Sequence, residues 1–196
     1  MSNHVLNGQP TDLGRWLTSY YVARGVFSVI WVTAILVIAP TSTVLAGALL
    51  LIYPAWDAAA NAVDAWHHGG PRANPTQTVN VAVSSLTTVA VAIGLAHSMN
   101  VVLGVFGVWA ALSGLLQLAT ALRRWKGVGA QWVLVVSGVQ SAAAGVLFLR
   151  EAGAPASASA TAIAPYAAFG AFYFLVSATW LFVSARRRMA QPQGTR

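Results

Sequence analysis

A chain of 196 residues that is 57% hydrophobic and only 8% charged lies far from the roughly one-quarter charged composition of a soluble globular domain, and an integral membrane protein is expected. The net charge of +7 raises nucleic acid as a partner, but the basic residues cluster beside apolar runs, where they report membrane orientation instead. With no cysteine, disulfides, thiolate nucleophiles and Cys-ligated metal or iron–sulfur centres are excluded.

In chain order, segments long enough for a helical span, about 17–25 residues, fall at 22–39, 43–66, 78–97, 100–122, 130–149 and 161–185. Pro40-Thr41-Ser42 and Ser98-Met99 make tight turns, whereas the connections at 67–77 and 123–129 are longer and basic. The expected fold class is therefore an all-α integral membrane protein, with six transmembrane helices as three repeated helical hairpins in one membrane domain over 1–196. If the spans alternate, Arg15, Arg72, Arg123, Arg124, Lys126, Arg186, Arg187, Arg188 and Arg196 share one side, and Arg150 with Glu151 lies on the other. The excess of Lys and Arg predicts that both termini are cytoplasmic in a bacterial-type inner (plasma) membrane. A cleaved signal peptide is not expected, since about twenty polar residues precede the first span and no basic n-region adjoins it. Trp16, Tyr20, Tyr21, Trp66, Trp125 and Trp132 flank the span ends, as an aromatic belt requires. The Ala/Ser-rich segment 151–161 reads as a flexible outer loop.

The second span holds two of the four acidic residues of the chain. At about 100° per residue, Leu50, Tyr53, Asp57, Asn61, Asp64 and His68 form one stripe, with Trp66 opposite. An ionised Asp in mid-span costs about 2.5–3.5 kcal/mol on insertion scales, so it should face the bundle interior and find a partner. Arg24 is the only basic residue inside a span, sixteen residues before Pro40, whereas Asp57 is fourteen residues after Thr43. At 1.5 Å per residue both reach similar depths, about 24 and 21 Å from the same turn. An Arg24–Asp57 ion pair is expected, supported by Asn61, with Asp64 near water at the helix end. A carboxylate held against a guanidinium is a poor proton carrier, which favours a structural role over a relay. Pro54, one turn before Asp57, should weaken the helix there. His67, His68 and His97 do not assemble a metal site, because they end spans on opposite sides. No nucleophile elbow, zinc-protease helix or phosphate loop is present, and Asp57 and Asp64 lie about two turns apart on one helix, roughly 10 Å, too far for a shared proton. Neither an enzyme nor a cofactor is expected.

A shift of about 57 residues lays the first hairpin on the second: Gly47 meets Gly104 and Ser28 meets Ser85. With one residue of slack, Asp57, Asn61, Asp64 and His68 correspond to a second polar stripe of Ser113, Gln117, Thr120 and Arg124. Gly138 and Ser141 repeat Gly25 and Ser28 in the third hairpin, and Gly170 falls near Asp57. An Arg24-Gly25 pair entering the first span, Pro40 ending it, a glycine in the next helix and Asp57 one helix length later resemble the short repeat of HdeD-type acid-resistance membrane proteins, built of domain-of-unknown-function 308 repeats. The resemblance covers nearly the whole chain. It departs at Ala58, where that family often has glycine, and in the absence of acidic partners from the second and third repeats. It implies a small inner-membrane protein linked in some members to acid resistance, with no established enzymatic activity. Two functions follow: a non-catalytic structural or stress role, and a small transporter or channel using the Arg24/Asp57/Asn61 cluster with Asp64. The lipid bilayer is the partner expected, a homo-oligomer stays open, and no ligand is named by the sequence.

Overall fold

The computed structural model describes the backbone over residues 9–124 and 131–190, with side chains from 14 to 119, at 121 and 122, and from 135 to 187. Six α-helices follow one another: α1 (Gln9–Ile38), α2 (Thr43–His67), α3 (Pro75–Leu95), α4 (Met99–Arg124), α5 (Gln131–Ala152) and α6 (Ala164–Ala190). A short 3-10 turn, Ala160–Ile163, precedes α6. There is no strand among the described residues. Five helical segments are long and apolar enough to cross a membrane: Gly14–Ile38, Thr43–His67, Pro75–Leu95, Met99–Ala119 and Ala160–Arg187. The chain is a multi-pass membrane protein by this measure. Helix α5 covers the fifth expected span, although it is not among those five. The expected bounds hold within a few residues except at the first span. There α1 starts at Gln9 instead of residue 22, because Pro10 in its first turn is compatible with a helix start and nothing between Thr11 and Arg24 breaks the helix beyond one glycine.

Local rules set the turns. Ser42 and Ser98 each accept a hydrogen bond from the backbone N–H three residues on, at Leu45 (3.3 Å) and Val101 (3.2 Å), satisfying a donor that a helix start leaves open. Gly69 and Gly70 take φ of 96° and 90°, a region open to glycine at no steric cost, and turn the chain between α2 and α3. The Asn74 side-chain amide then donates to the carbonyls of Ala65 (3.2 Å), His68 (2.8 Å) and Gly70 (3.1 Å). Helix α2 runs unbroken through the buried Pro54.

Two compact units are distinguished. The first joins residues 1–32 and 167–196. Within it Gly25 lies against Leu175, where a Cβ would come within 2.7 Å of the side chain. Tyr21 stacks on Phe174 at 6.2 Å.

The second unit, residues 33–166, contains α2 to α5. Here α2 packs on α3, α3 on α4 and α4 on α5, while the 3-10 turn touches α2 and α4. The α4–α5 contact is the closest. A Cβ on Gly114 would stand 2.5 Å from the Ala142 nitrogen and the Gly138 oxygen, and one on Gly145 would stand 2.6 Å from the Ala111 nitrogen and the Gly107 oxygen. Small residues let membrane helices approach to backbone contact in this way. Gly104 differs, since its Cβ would meet only Ala152 at an ordinary 3.6 Å.

The segment after α5 corrects the reading of a flexible loop. Asn100 donates from its amide to the carbonyls of Ala152, Ala154 and Ala156 at 3.1–3.2 Å and accepts from the Ala158 nitrogen at 2.8 Å. One side chain at the start of α4 thus pairs the last carbonyl of α5 and three backbone groups of the loop that follows, which has few side chains of its own to order it.

Candidate functional site

The stripe read along α2 faces inward. Leu50, Tyr53 and Asn61 are buried and Asp57, Asp64 and His68 half-buried, whereas Trp66 on the other side is 79% exposed. At its centre the Asp57 carboxylate oxygen Oδ2 accepts two hydrogen bonds, from the Asn61 amide one turn along at 3.1 Å and from the Ser84 hydroxyl of α3 at 2.7 Å. The same Asn61 amide also donates to the Asp57 backbone carbonyl at 2.8 Å. Ser84 in turn accepts from the indole Nε1 of Trp109 on α4 at 3.1 Å. Asn61, Ser84 and Trp109 are all buried. The result is a directed chain, indole N–H to hydroxyl to carboxylate, that ties three helices together. Hydrogen bonds that converge on one carboxyl oxygen from two helices fix the geometry of both.

Aromatic rings enclose this chain. Tyr53 and Phe106 each meet Trp109 edge-on at 5.8 Å, and Tyr166 does so at 6.1 Å. A second node follows: Ser141 of α5 donates to the Ala110 carbonyl of α4 at 2.9 Å and lies 3.0 Å from the Tyr166 hydroxyl. In both nodes a buried serine connects the preceding helix to an aromatic residue 25 positions further along the chain.

The remaining candidates lie elsewhere. Asp64 does not join Asp57: its side chain is 14% exposed and its Oδ1 lies 2.9 Å from His68 Nδ1. Gln117 accepts from Ser137 of α5 at 3.0 Å and so serves the α4–α5 contact. Ser113 is half-buried on α4. The side chain of Thr120 lies outside the described residues. In the first unit Arg24 donates to the Tyr20 hydroxyl at 2.9 Å and stands over the Phe174 ring at 4.3 Å, a cation–π geometry. Arg24 and Asp57 fall in different units.

Sequence reasoning found Asp57 and Asn61 and missed Ser84 and Trp109. A usable signal existed in the spacing: Ser28, Ser84 and Ser141 recur at 56 and 57 residues, and all three are buried. The serine matched to Ser28 from sequence, Ser85, is instead exposed.

No curated protein and no solved structure matches the chain. One family does: residues 82–150 match the short repeat of unknown function DUF308, a segment containing Ser84, Trp109 and Ser141, so that over α4 and most of α3 and α5 the chain is similar to DUF308 membrane proteins.

Proposed function

We propose that this is a small HdeD-like inner-membrane protein of three degenerate helical hairpins, with a non-catalytic role in membrane structure or stress of the acid-resistance type. The observation that carries the non-catalytic reading is the Asp57 node. Its carboxylate is held by Asn61 and Ser84, and Ser84 by Trp109, an arrangement that fastens α2, α3 and α4 to one another. The hairpin reading is supported by burial that repeats in step with the sequence. Leu50, Phe106 and Ile163 recur at 56 and 57 residues, as do Ile35, Val91 and Phe148, and Ala65, Ala121 and Ala178; all nine are buried.

The matching depths of Arg24 and Asp57 read from the sequence extend the proposal to an ion pair between them. The clustered Lys and Arg residues support cytoplasmic termini. A transporter or channel would use the same residues differently, and reconstitution separates the two. Asp57→Ala should lower thermal stability by about 1–3 kcal/mol, the cost of leaving buried donors unmet, while wild-type vesicles show no proton or ion flux above protein-free ones. Flux in wild-type vesicles that vanishes in a well-folded Asp57→Asn protein would overturn the non-catalytic reading.

A further inference from the structure

Between α3 and α4 an apolar groove of about 520 Å³ opens sideways from the bundle. Its floor is Thr87, Gly104 and Trp109, and its rims include Leu86, Val108 and Leu149. The floor is closed, with Thr87 7% and Trp109 5% exposed, whereas Leu86 is 70% exposed. The Thr87 hydroxyl donates to the Val83 carbonyl at 2.8 Å, so it offers the groove no unmet polar group. We infer that this groove binds one acyl chain of an anionic membrane phospholipid, with the lipid phosphate at Arg150.

Dimensions identify the occupant. Along α4 the groove runs from Val101 to Leu112, about 16 Å at 1.5 Å per residue. It starts beside the α3–α4 turn, and its length is about half that of a hydrocarbon core of roughly 30 Å. That is the depth of one leaflet. Its volume is within the roughly 300–1,000 Å³ of ligand sites. Charge points the same way: Arg150 follows the groove residue Leu149, is exposed, and is the single Lys or Arg between Lys126 and Arg186. His97 and Glu151 are the other titratable groups at that end, both exposed.

A second copy of the chain fits less well. Contacts between membrane helices favour small residues that let backbones approach, but the rims here are large. The glycines at positions 107, 114, 138 and 145 already serve the α4–α5 contact. The groove also has a consequence for the polar node, because an occupant would touch Trp109, whose Nε1 holds Ser84 against Asp57.

Gly104 provides the test, since it lines the groove and a Cβ there meets only Ala152, at an ordinary 3.6 Å. Phosphatidylglycerol and phosphatidylcholine are titrated separately into the detergent-purified full chain, and retained lipid is counted by native mass spectrometry. Wild type should retain one phosphatidylglycerol. Gly104→Leu, and independently Ala90→Leu from the facing helix, should weaken that binding at least tenfold with helix content unchanged. Arg150→Gln should remove the preference for phosphatidylglycerol over phosphatidylcholine. Equal retention by either filled variant, if folded, overturns the site. So does a dimer of the otherwise unaltered chain that cross-links through Leu86→Cys and Val108→Cys, for then another copy covers the groove.

Discussion

At the scale of single residues, the polar node shows how an apolar helix bundle accommodates a carboxyl group. Asp57 is tolerable because donors on its own helix and on the next one reach the same oxygen. Ser84 is the pivot, both donor to Asp57 and acceptor for Trp109. Ser84→Ala removes both bonds at once and leaves the indole N–H buried without its acceptor. Hydrogen bonds in membrane proteins average about 0.6 kcal/mol and reach about 1.7, so a loss of roughly 1–2 kcal/mol is expected. The exposed neighbour Ser85 is the control: Ser85→Ala should change stability by less than about 0.5 kcal/mol, as surface substitutions do. Thermal unfolding of both variants in the same detergent measures the difference. The inward face of α2 was legible from its 3.6-residue period, which is a property of one helix. That Ser84 rather than Ser85 meets Asp57 was not, because a one-residue change in register between helices turns a side chain by about 100°.

At the scale of elements, the span boundaries were readable since length and apolarity decide them, but the closeness of neighbouring helices was not. Gly104, Gly107 and Gly114 look alike in sequence, as small residues at steps of three and seven along α4. In the fold Gly107 and Gly114 lie against the backbone of α5, and Gly104 lies at the groove. Opposite responses to the same change follow. Gly114→Ala would bring a Cβ to 2.5 Å from two backbone atoms, so α4 and α5 must separate, and destabilisation by about 1–3 kcal/mol is expected, as for other overpacked sites. Gly104→Ala meets no such obstacle and gains helix propensity worth up to about 1 kcal/mol. It should be neutral or stabilising. Equal losses for the two alanines in thermal unfolding would show that the α4–α5 approach is not what these glycines are for. The loop held by Asn100 is the counter-example to reading elements from composition. An Ala/Ser-rich stretch has little to order it, but its backbone groups were paired by a residue more than fifty positions earlier in the chain.

At the scale of the whole molecule, a family model of a short repeat matches residues 82–150, and buried positions recur at 56 and 57 residues on either side of that segment. If the three proposed hairpins are copies, each keeps the apolar positions that a helix pair must bury, while the polar ones diverge: Asp57 then corresponds to Ser113 and to Gly170. An even number of spans per hairpin would give every copy the same orientation, and the basic connections would then fall together on one side of the membrane. The absence of cysteine makes this directly measurable, because single cysteines can be introduced without removing any. Cysteine at Ala73, in the basic connection after α2, and at Ala154, in the loop after α5, should be separated by the membrane if six spans alternate. An impermeant maleimide applied to intact cells should label Cys at 154 and leave Cys at 73 unreacted until the membrane is opened. Labelling of both positions in intact cells would mean that the spans do not alternate as proposed. The reverse pattern would invert the molecule, and would show that the clustered Lys and Arg residues do not set its orientation.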